Sequence, residues 1–510
     1  MKVVDSGRMA AIDREAQRSF AIPEIVLMED AGRGIFESVR DIVWNGAPPR
    51  GPVVFLCGRG NNGGDALVVA RHCRLAGIND LAVVLGAGEP PAEKPAGLHL
   101  KIVRSMGIRV LDYTGSESRQ AQALIKRSHW LIDGLLGTGL SGEVRSPMSR
   151  LIRLCNEASA FRIAVDIPSG IGDAYRHGYI AYRADCTLTV QVPKLCLYLP
   201  YARGYCGTIH TIAGVFPPQL LETEDIPGRL IDRSLKQRLL VPLNPETHKG
   251  GRGHVAVFAG SEGTTGAAWL SSTAAARARA GLVTLFIDRE LYGSSLSKYG
   301  SVMLRAWRGE APELDRYNTL LVGPGWGTSD QRQRILGRLL ASGLSGVLDA
   351  DGISLLARLR KEGGVSLNGR WILTPHPGEL SRLLGTGIRE LLEDPLPPLL
   401  RTAAELQAIV VLKGHCSYVA SPEGRYGILD GMNPAMATGG SGDVLAGMCA
   451  GLLASGCTPE DAATLAVRLH SEIGRKLYEQ NGCFLAEDML PAVSAACGQG
   501  QGSRAEAWER

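Results

Sequence analysis

The sequence lacks the features that mark nucleic-acid and membrane proteins. Its formal net charge is only +4, no block of lysine and arginine stands out, and aromatic residues make up 5% of the 510 residues. Nucleic-acid binding usually needs a basic patch with stacking aromatics, so we expect no nucleic-acid partner. Charges or glycines interrupt each apolar run before it reaches membrane-spanning length, so we also expect no membrane partner.

The cysteines lack a metal-binding or disulfide pattern. There are eleven, none of them in a C-x-x-C motif, and several lie in apolar runs. We therefore expect buried thiols in a reducing compartment. The amino-terminal sequence also lacks the apolar core of a signal peptide, so the expected location is the cytoplasm.

Glycine, in contrast, is abundant. The 64 glycines occur in short motifs between apolar runs, and predicted strands alternate with predicted helices. This rhythm indicates an α/β protein whose parallel sheets are covered on both faces. We expect two helices between residues 9 and 39, broken near Pro23, and helices over 66–76 and 267–280. The expected strands are 52–57, 81–85, 130–132, 162–166, 255–258, 282–287, 319–322, 346–348, 371–373 and 409–412.

The length predicts at least two domains. Composition changes after Ile212, and the following segment is rich in proline and charge. We therefore expect a first domain over 1–218, a linker over 219–245, a second domain over 246–497 and a polar, disordered tail over 498–510.

The most informative segment is NPAMATGGSGD, residues 433–443, which runs into an alanine-rich apolar stretch predicted to be helical. A glycine-rich loop at a helix N-terminus offers free N–H groups to phosphate. At the end of this loop, Asp443 can take a proton from a substrate hydroxyl during phosphoryl transfer. On four residues alone, a tight turn with Asp443 as a helix cap is equally consistent.

A second glycine-rich segment, GNNGGD at residues 60–65, follows a strand and opens a helix. It permits close backbone approach to phosphate or sugar, although an ordinary turn capped by Asp65 is the alternative. Polar loops at 133–139 and 166–170 are expected at the same sheet edge, where ligands bind in such folds. Asn62, Asp133 and Ser169 there can supply oxygen ligands to a hard cation.

Together these loops resemble the epimerase domain of the NAD(P)H-hydrate repair family, the YjeF N-terminal domain, over most of residues 1–215. Arg8-Met9 with Asp13, LMEDAG at 27–32 and VPK at 192–194 add to the likeness. The resemblance implies a Rossmann-like three-layer domain that interconverts R- and S-NADHX or NADPHX, the hydrated forms of NADH and NADPH. It implies K⁺ at Asn62, Asp133 and Ser169, and acid–base work by Asp166. The implied substrate contacts are Asn61, Asn62, Gly63, Gly64, Asp65, Gly137, Thr138, Gly139, Leu140, Ser141, Gly142, Glu143 and Asp166.

One position departs from the family pattern. The family usually has glycine after NNGGD, and this chain has Ala66. Alanine is harmless there if φ is negative, whereas a positive φ would strain the loop.

In the second half, polar loops again follow predicted strands, at 259–261, 323–327, 349–352, 374–379 and 413–415. His376 is fixed between two prolines, which favours substrate binding over a purely structural role. Asp349 and Asp351 are candidates for caps of the helix near Ile353. Lys413 can pair with phosphate or end a strand in solvent.

This order of motifs resembles the ribokinase-like dehydratase of the same repair family, from about Lys249 to Leu490. TPHPGE and NPAMATGGSGD are the specific segments. The resemblance implies a ribokinase-like α/β domain that uses ADP, or ATP in some relatives, to dehydrate the S hydrate. Asp443 would be the base, and Mg²⁺ would accompany the nucleotide. The implied hydrate contacts are Ala267, Gly325, His376 and Asp443, and the implied nucleotide contacts are Lys413, Gly414, His415, Cys416, Ser417 and Gly442. The family often has a threonine near Cys416 or Ser417.

Two other functions share parts of this pattern. A kinase for a vitamin or sugar hydroxyl would use the Gly-Ser-Gly-Asp loop but would leave the N-terminal half unexplained. Alternatively, the N-terminal domain could be a non-catalytic interaction module, for which Ala66 is the only hint. The main hypothesis gives NADHX, NADPHX and ADP as small-molecule partners, and we expect a homo-oligomer.

Overall fold

The computed structural model describes residues 1–223, 226–240 and 242–498. The chain forms two compact units, Met1–Ile226 and Pro227–Arg510. The predicted disordered tail covers residues 498–510, and those after Gly498 lie outside the described part of the chain. Among the described helices, none combines the length and the hydrophobicity of a membrane-crossing segment.

The N-terminal unit is built on a parallel sheet. Its strands are β2 (Val53–Cys57), β3 (Leu81–Leu85), β4 (Arg109–Asp112), β5 (Trp130–Gly134), β6 (Phe161–Val165), β7 (Cys186–Val190) and β8 (Thr208–Ile212), preceded by the short strand β1 (Lys2–Val3). The order of the sheet is β4-β3-β2-β5-β6-β7-β8, and each neighbouring pair is parallel.

Helices cover both faces of this sheet. They are α1 (Ser6–Ser19), α2 (Glu24–Ser38), α3 (Asn61–Leu75), α4 (Pro95–Ser105), α5 (Ser118–Arg127), α6 (Met148–Glu157) and α7 (Pro218–Thr223), with a π-helical turn at Val39–Val43 and 3₁₀ turns at Leu195–Tyr198 and Arg203–Tyr205. Alternate residues of β2 pack into two separate cores, Phe55 against α2 and α3 and Leu56 against α5 and α6. The predicted three-layer, Rossmann-like architecture is therefore confirmed.

The C-terminal unit has a longer sheet. Its strands are β9 (Gly228–Leu230), β10 (His254–Phe258), β11 (Leu282–Asp288), β12 (Met303–Trp307), β13 (Thr319–Val322), β14 (Ser345–Leu348), β15 (Trp371–Leu373), β16 (Ile409–Leu412), β17 (Cys416–Ala420) and β18 (Tyr426–Asp430). They follow the order β9-β18-β17-β16-β15-β14-β13-β10-β11-β12. The pairs β16–β17 and β17–β18 are antiparallel, and the other neighbours are parallel.

The helices of this unit are α8 (Ser234–Leu239), α9 (Thr265–Arg277), α10 (Arg289–Ser295), α11 (Asp330–Leu340), α12 (Asp351–Glu362), α13 (Pro377–Leu384), α14 (Ile388–Glu393), α15 (Leu396–Leu406), α16 (Ser441–Ala454), α17 (Pro459–Asn481) and α18 (Ala486–Gly498), with 3₁₀ turns at Leu296–Lys298 and Pro434–Met436. Helix α16 lies against α9 almost without side chains between them. A Cβ at Gly447 would lie 2.2 Å from the carbonyl oxygen of Ser271, and one at Gly451 would lie 2.5 Å from that of Ala275. Glycine at these two positions therefore permits the close packing that fixes the start of α16.

Two expectations need correction. The predicted linker 219–245 contains secondary structure, because β9 pairs in parallel with β18 and α8 follows it. The boundary between the units lies inside this segment. The other correction concerns NNGGD, which is the first turn of α3 rather than a loop before it. Asp65 is thus inside the helix and does not cap it.

Candidate active sites

A cleft of about 980 Å³ opens at the carboxyl ends of the strands in the N-terminal unit. Most of the predicted substrate contacts line it, together with the side chains of helices α1 and α2. The predicted residues that line the cleft are Asn61, Asn62, Asp65, Gly137, Thr138, Gly139, Leu140, Ser141, Glu143 and Asp166.

Three of the predicted contacts do not line this cleft: Gly63, Gly64 and Gly142. Gly63 and Gly64 instead allow α3 to pack closely. A Cβ at Gly63 would lie 2.1 Å from the carbonyl oxygen of Gly58, and one at Gly64 would lie 2.4 Å from the sulfur of Met28. Gly63 therefore lets α3 approach the backbone directly after β2, and Gly64 lets it approach α2.

The structure brings the three predicted K⁺ ligands into one buried network. Ser169 donates its hydroxyl to Asp133 Oδ1 at 2.7 Å, and its N–H to Asp133 Oδ2 at 2.8 Å. The N–H of Leu136 donates to Ser169 Oγ at 2.8 Å, and the amide of Asn62 donates to the Leu136 carbonyl at 2.8 Å.

Asp133 in this network is a buried carboxylate without a basic partner. It forms no ion pair with any described residue, and burial raises its pKa to about 6 despite hydrogen bonds from Ser169 and Leu135. A buried negative charge surrounded by amide, hydroxyl and carbonyl oxygens is chemically suited to a hard cation.

On the other side of the cleft, Asp166 holds a left-handed backbone conformation with φ of 63°. Few non-glycine residues adopt it, and such residues cluster at functional sites. Asp166 Oδ1 accepts hydrogen bonds from the hydroxyl of Thr189 at 3.1 Å and the N–H of Val190 at 2.9 Å. It also accepts one from the ammonium of Lys194 at 2.5 Å.

Lys194 is a functional candidate that is absent from the predicted site residues, although it lies in the VPK segment that adds to the family likeness. Its side chain is 1% exposed and lies behind Asp166 in the cleft wall. The VPK segment is the sequence signal that could have indicated it. A buried lysine needs a partner, and here the partner is the predicted acid–base residue.

Further carboxyl groups line the same cleft. Asp65 is half-buried, and its pKa is raised well above the usual range by desolvation and by the nearby charge of Asp166. Desolvation also raises the pKa of Asp13, and the amide of Asn61 donates to Glu24 at 2.8 Å. The cleft thus holds four carboxyl groups, on Asp13, Glu24, Asp65 and Asp166.

In the C-terminal unit, Asp443 lies in the first turn of α16. Burial raises its pKa to about 7, and the negative charges of Asp349 and Glu379 act in the same direction, while Lys413 opposes them. A carboxyl group with a pKa near 7 is matched to proton transfer at neutral pH.

Lys413 connects this acid to the loops of the neighbouring strands. It directly follows β16, and its Nζ donates to Asp349 Oδ1 at 2.7 Å. A Cβ at Gly442 would lie 3.2 Å from the same Nζ. Lys413 is therefore half-buried beside the predicted phosphate loop, which excludes the solvated strand end considered above.

Asp349 also differs from its expected role. Helix α12 begins at Asp351 after Ala350, and the Asp349 side chain accepts from Thr374 at 2.8 Å and from Lys413. Asp351 accepts from the N–H of Gly327 at 2.7 Å. Neither carboxylate caps α12, because both reach across to neighbouring loops.

His376 has a structural partner as well as an exposed ring. Its Nδ1 accepts from the N–H of Gly378, and the Glu379 carboxylate accepts from the N–H of His376, which together cap α13. Its Nε2 lies 3.3 Å from Glu379 Oε1, while half of the side chain stays exposed. The cap explains the rigid TPHPGE turn, and the exposed half remains available to a ligand.

The other predicted hydrate contacts lie together. A Cβ at Gly325, where φ is 55°, would lie 3.2 Å from Cβ of Ala267. The hydroxyl of Thr264 donates to the Gly325 carbonyl at 2.7 Å. The start of α9 and the loop after β13 are thus held in contact.

Five of the predicted nucleotide contacts are consecutive: Lys413, Gly414 and His415 connect β16 to β17, and Cys416 and Ser417 begin β17. Gly414 and His415 are exposed, whereas Cys416 is buried. The side chain of Cys416 therefore faces the core, and a nucleotide would meet its backbone instead.

Helix α17 contacts the predicted phosphate loop, residues 433–443, and helps to hold it in place. His470 is buried and its Nε2 donates to the Ser441 carbonyl at 2.9 Å. One turn further along, a Cβ at Gly474 would lie 2.0 Å from the sulfur of Met436, and Ser441 donates its hydroxyl to the Met436 carbonyl at 3.1 Å. Burial lowers the pKa of His470 to about 4, so its ring is neutral at physiological pH.

These two sites define a two-domain α/β enzyme with a glycine-rich phosphate loop and an adjacent base in its C-terminal unit. Residues 24–196 match the family model described as YjeF-related protein N-terminus, and residues 255–494 match the one described as NAD(P)H-hydrate dehydratase. The chain belongs to the family of bifunctional NAD(P)H-hydrate repair enzymes.

The similarity to curated relatives extends over nearly the whole chain. The bifunctional NAD(P)H-hydrate repair enzyme of Moorella thermoacetica is 34% identical over 512 residues, covering 96% of this chain and 95% of the relative. The enzyme of the same name from Coxiella burnetii is 32% identical over 476 residues, covering 92% and 94%. Among solved structures, an ADP/ATP-dependent NAD(P)H-hydrate dehydratase from Bacillus subtilis, co-crystallised with ATP and Mg²⁺, is 26% identical with a TM-score of 0.48, covering 54% of this chain and 99% of that one.

Proposed function

We propose that the N-terminal unit interconverts R- and S-NADHX or NADPHX, and that the C-terminal unit dehydrates the S form at the expense of ADP, giving AMP and phosphate. The observation that carries the second half is Asp443, a carboxyl group with a pKa of about 7 in the first turn of a helix beside Lys413. The N-terminal half is supported by the cleft that contains Asp166 and the Asn62–Asp133–Ser169 network.

In the dehydratase site, ionised Asp443 takes the proton from the C6 hydroxyl of the hydrate. The oxygen then attacks the terminal phosphoryl group of ADP, while the N–H groups of residues 440–442 and the ammonium of Lys413 stabilise the developing negative charge. The C6–O bond then breaks, with phosphate leaving as the electron pair of N1 moves towards C6. Loss of a proton from C5 to solvent forms the C5=C6 double bond and restores the reduced nicotinamide ring. His376, Gly325 and Ala267 would orient the hydrate.

Mg²⁺ fits this site as a companion of the nucleotide. In the described part of the chain, no group of three or more His, Cys, Asp or Glu side chains is arranged to hold a metal. The phosphates of the nucleotide and several waters would therefore supply most ligands of the ion, as is usual for Mg²⁺. When bound, the ion would neutralise charge on the phosphates.

In the epimerase site, Asp166 would contact the hydrated nicotinamide and move its hydroxyl proton. Asn62, Asp133 and Ser169 would hold K⁺, which would balance the buried charge of Asp133 and order the loop after β5. Residues 137–143 follow directly and would lie along the nucleotide part of the substrate.

A single assay tests both activities. A mixture of R- and S-NADHX is supplied with ADP and Mg²⁺, and the return of NADH absorbance is followed. We expect complete recovery, because epimerisation feeds the S-specific step. Recovery of the S fraction alone would show a silent epimerase. No recovery with ADP or ATP, together with phosphorylation of a vitamin alcohol, would favour the kinase.

A further inference from the structure

The cleft of the N-terminal unit contains a lysine that is not available to substrate. Lys194 Nζ donates to Asp166 at 2.5 Å, to the Val190 carbonyl at 2.7 Å and to the Thr189 hydroxyl at 3.5 Å. An ammonium group has three donors, so its hydrogen-bonding capacity is used inside the protein. This pattern differs from that of a lysine that reaches out to phosphate.

The backbone holds Lys194 in place from both sides. The N–H of Val4 donates to the Pro193 carbonyl at 3.2 Å, and the N–H of Leu195 donates to the Val4 carbonyl at 2.7 Å. The amino-terminal segment of the chain therefore clamps the lysine on Asp166.

The hydrogen bonds of Asp166 are unevenly distributed between its oxygens. Lys194, Thr189 and Val190 all donate to Oδ1. No described residue donates a hydrogen bond to Oδ2, although the side chain lines the cleft and is 16% exposed. One oxygen is thus fixed by the protein, and the other is left for a ligand in the cleft.

Asp65 completes the arrangement. It lines the same cleft and forms no hydrogen bond or ion pair with a described residue. The charged and titratable groups around it are Asp13 of α1, Glu24 of α2, Asp166 and Lys194. Burial, and after it the negative charge of Asp166, raise the pKa of Asp65, which favours its protonated form.

We propose that Lys194 is a positioning residue that orients Asp166 as the proton acceptor, acting through Oδ2, and that Asp65 is the matching proton donor. This inference rests on the proposed epimerase function and assigns roles within that site.

The two carboxyl groups allow a balanced epimerisation without a redox step. Asp166 Oδ2 takes the proton of the ring hydroxyl, and the C6–N1 bond breaks with its electron pair going to N1. N1 receives the proton of Asp65, and the hydroxyl carbon becomes an aldehyde. Rotation about the C5–C6 bond presents the other face of the aldehyde, and closure returns both protons and yields the other epimer.

The first test compares the wild-type chain with Lys194→Met and Asp65→Asn in the conversion of R- to S-NADHX. For Lys194→Met we expect kcat to fall by about 100-fold or more, with KM changed less than about threefold. The acidic limb of the pH profile should move to higher pH, because Asp166 loses its neighbouring positive charge. Asp65→Asn should lower kcat similarly and remove the alkaline limb. A rise in KM alone would mean that Lys194 binds substrate, and would overturn the proposal.

A double variant separates positioning from folding. The double variant Lys194→Met/Asp166→Asn removes both members of the ion pair from the cleft wall. It should convert R- to S-NADHX no more slowly than Asp166→Asn alone, because Lys194 acts through Asp166. Additive losses would contradict this role. Dehydration of S-NADHX in the other unit is the control for intact protein.

A second readout does not depend on activity. The infrared difference spectrum between the wild type and Asp65→Asn at neutral pH should show the loss of one protonated carboxylic acid band, and Lys194→Met should leave Asp166 easier to protonate. If the wild type shows no epimerase activity but this band is present, the proposed function fails and the carboxyl assignment stands. If the band is absent, the assignment fails.

Discussion

Environment, rather than residue type, separates the acids of the two sites. Asp443 is a half-buried carboxyl group in a helix turn, and desolvation together with neighbouring Asp349 and Glu379 raises its pKa to about 7. Asp166 instead accepts three hydrogen bonds on one oxygen, one of them from a buried ammonium. The first acid is matched to proton transfer near neutral pH, whereas the second is oriented by its hydrogen-bond donors.

The pKa of Asp443 predicts the pH dependence of dehydration. Because the base must be ionised, kcat/KM for S-NADHX should fall about tenfold per pH unit below about pH 7. Asp443→Asn should abolish dehydration and leave epimerisation unchanged. Steady-state assays between pH 5.5 and about 8.5 test both expectations. Asp330→Asn, the same change at an exposed residue of α11, is the control. A wild-type profile that is flat across this range would contradict the role of Asp443.

The buried charge of Asp133 predicts a pH-dependent response to K⁺. Its folded-state pKa of about 6 is raised, so its ionisation destabilises the folded state as pH rises through this value. A bound K⁺ would offset that cost, and its affinity should fall about tenfold between pH 7 and pH 5 as Asp133 is protonated. Melting temperatures in KCl and in choline chloride measure this difference. Asp133→Asn should remove it, and an equal effect of K⁺ at both pH values would argue against the site.

The residues of the two candidate sites could be predicted from the sequence only in part. Asp443, Asn62 and Ser169 occur in recognisable motifs directly after strands, and the topology brings such loops together. Lys194 lies in the VPK segment and Asp349 directly follows a strand, but neither pattern indicates its ion pair, because the partners lie 28 and 64 residues away along the chain. A sequence pattern reports neighbours along the chain, and these ion pairs join distant segments.

At the scale of elements, helix α17 positions the phosphate loop through two residues on one face. His470 holds the Ser441 carbonyl, and Gly474 leaves room for Met436. The spacing of four residues places both contacts on the same side of the helix. The loop therefore depends on a helix that carries none of the predicted ligand contacts.

This arrangement predicts the effect of changing His470. His470→Leu removes the hydrogen bond to the Ser441 carbonyl, which should lower the free energy of unfolding of the C-terminal unit by about 0.5–1.5 kcal/mol. The KM for ADP should rise, because residues 440–442 lose their support. His470→Gln retains a donor and should recover part of both losses. Urea unfolding and ADP titration measure them, and unchanged values in the leucine variant would show that the contact is dispensable.

Elements were predictable where apolar runs are bounded by glycine, proline or charge. The strands β3, β13, β15 and β16 agree with their predicted bounds, since each is short and apolar. Strands β8 and β12 are not predicted from the sequence, because they lie at sheet edges and four of the five residues in each are exposed or half-buried, so neither forms a continuous apolar run. Strands β17 and β18 are also not predicted, because they form an antiparallel hairpin without a helix between them, whereas the prediction relied on strands that alternate with helices.

At the scale of the whole molecule, each unit contains all the side chains predicted for its own active site. The cleft with Asp166 is lined by residues of the N-terminal unit, and the contacts of Asp443 and Lys413 come from the C-terminal unit. We therefore expect the two activities to be separable.

Mixing two inactivated proteins tests this expectation. Full-length Asp166→Asn should dehydrate only S-NADHX, and full-length Asp443→Asn should only epimerise. An equimolar mixture with ADP and Mg²⁺ should convert the entire R/S mixture to NADH, because the intermediate can diffuse between molecules. Each variant alone is the control. If the mixture stopped after the S fraction, the sites would have to act within one molecule.

The contact between α3 and β5 also bears on how the family can vary. Ala66 lies within α3, and its φ is not positive, so the alanine is unstrained. A Cβ at Gly134 would lie 2.6 Å from Cβ of Ala66 and equally close to the carbonyl oxygen of Asn62. Replacing Ala66 by glycine would relieve only the first of these clashes. The two positions therefore differ in which substitutions they tolerate. Position 66 can be glycine or alanine among relatives, whereas position 134 should remain glycine with either residue at position 66.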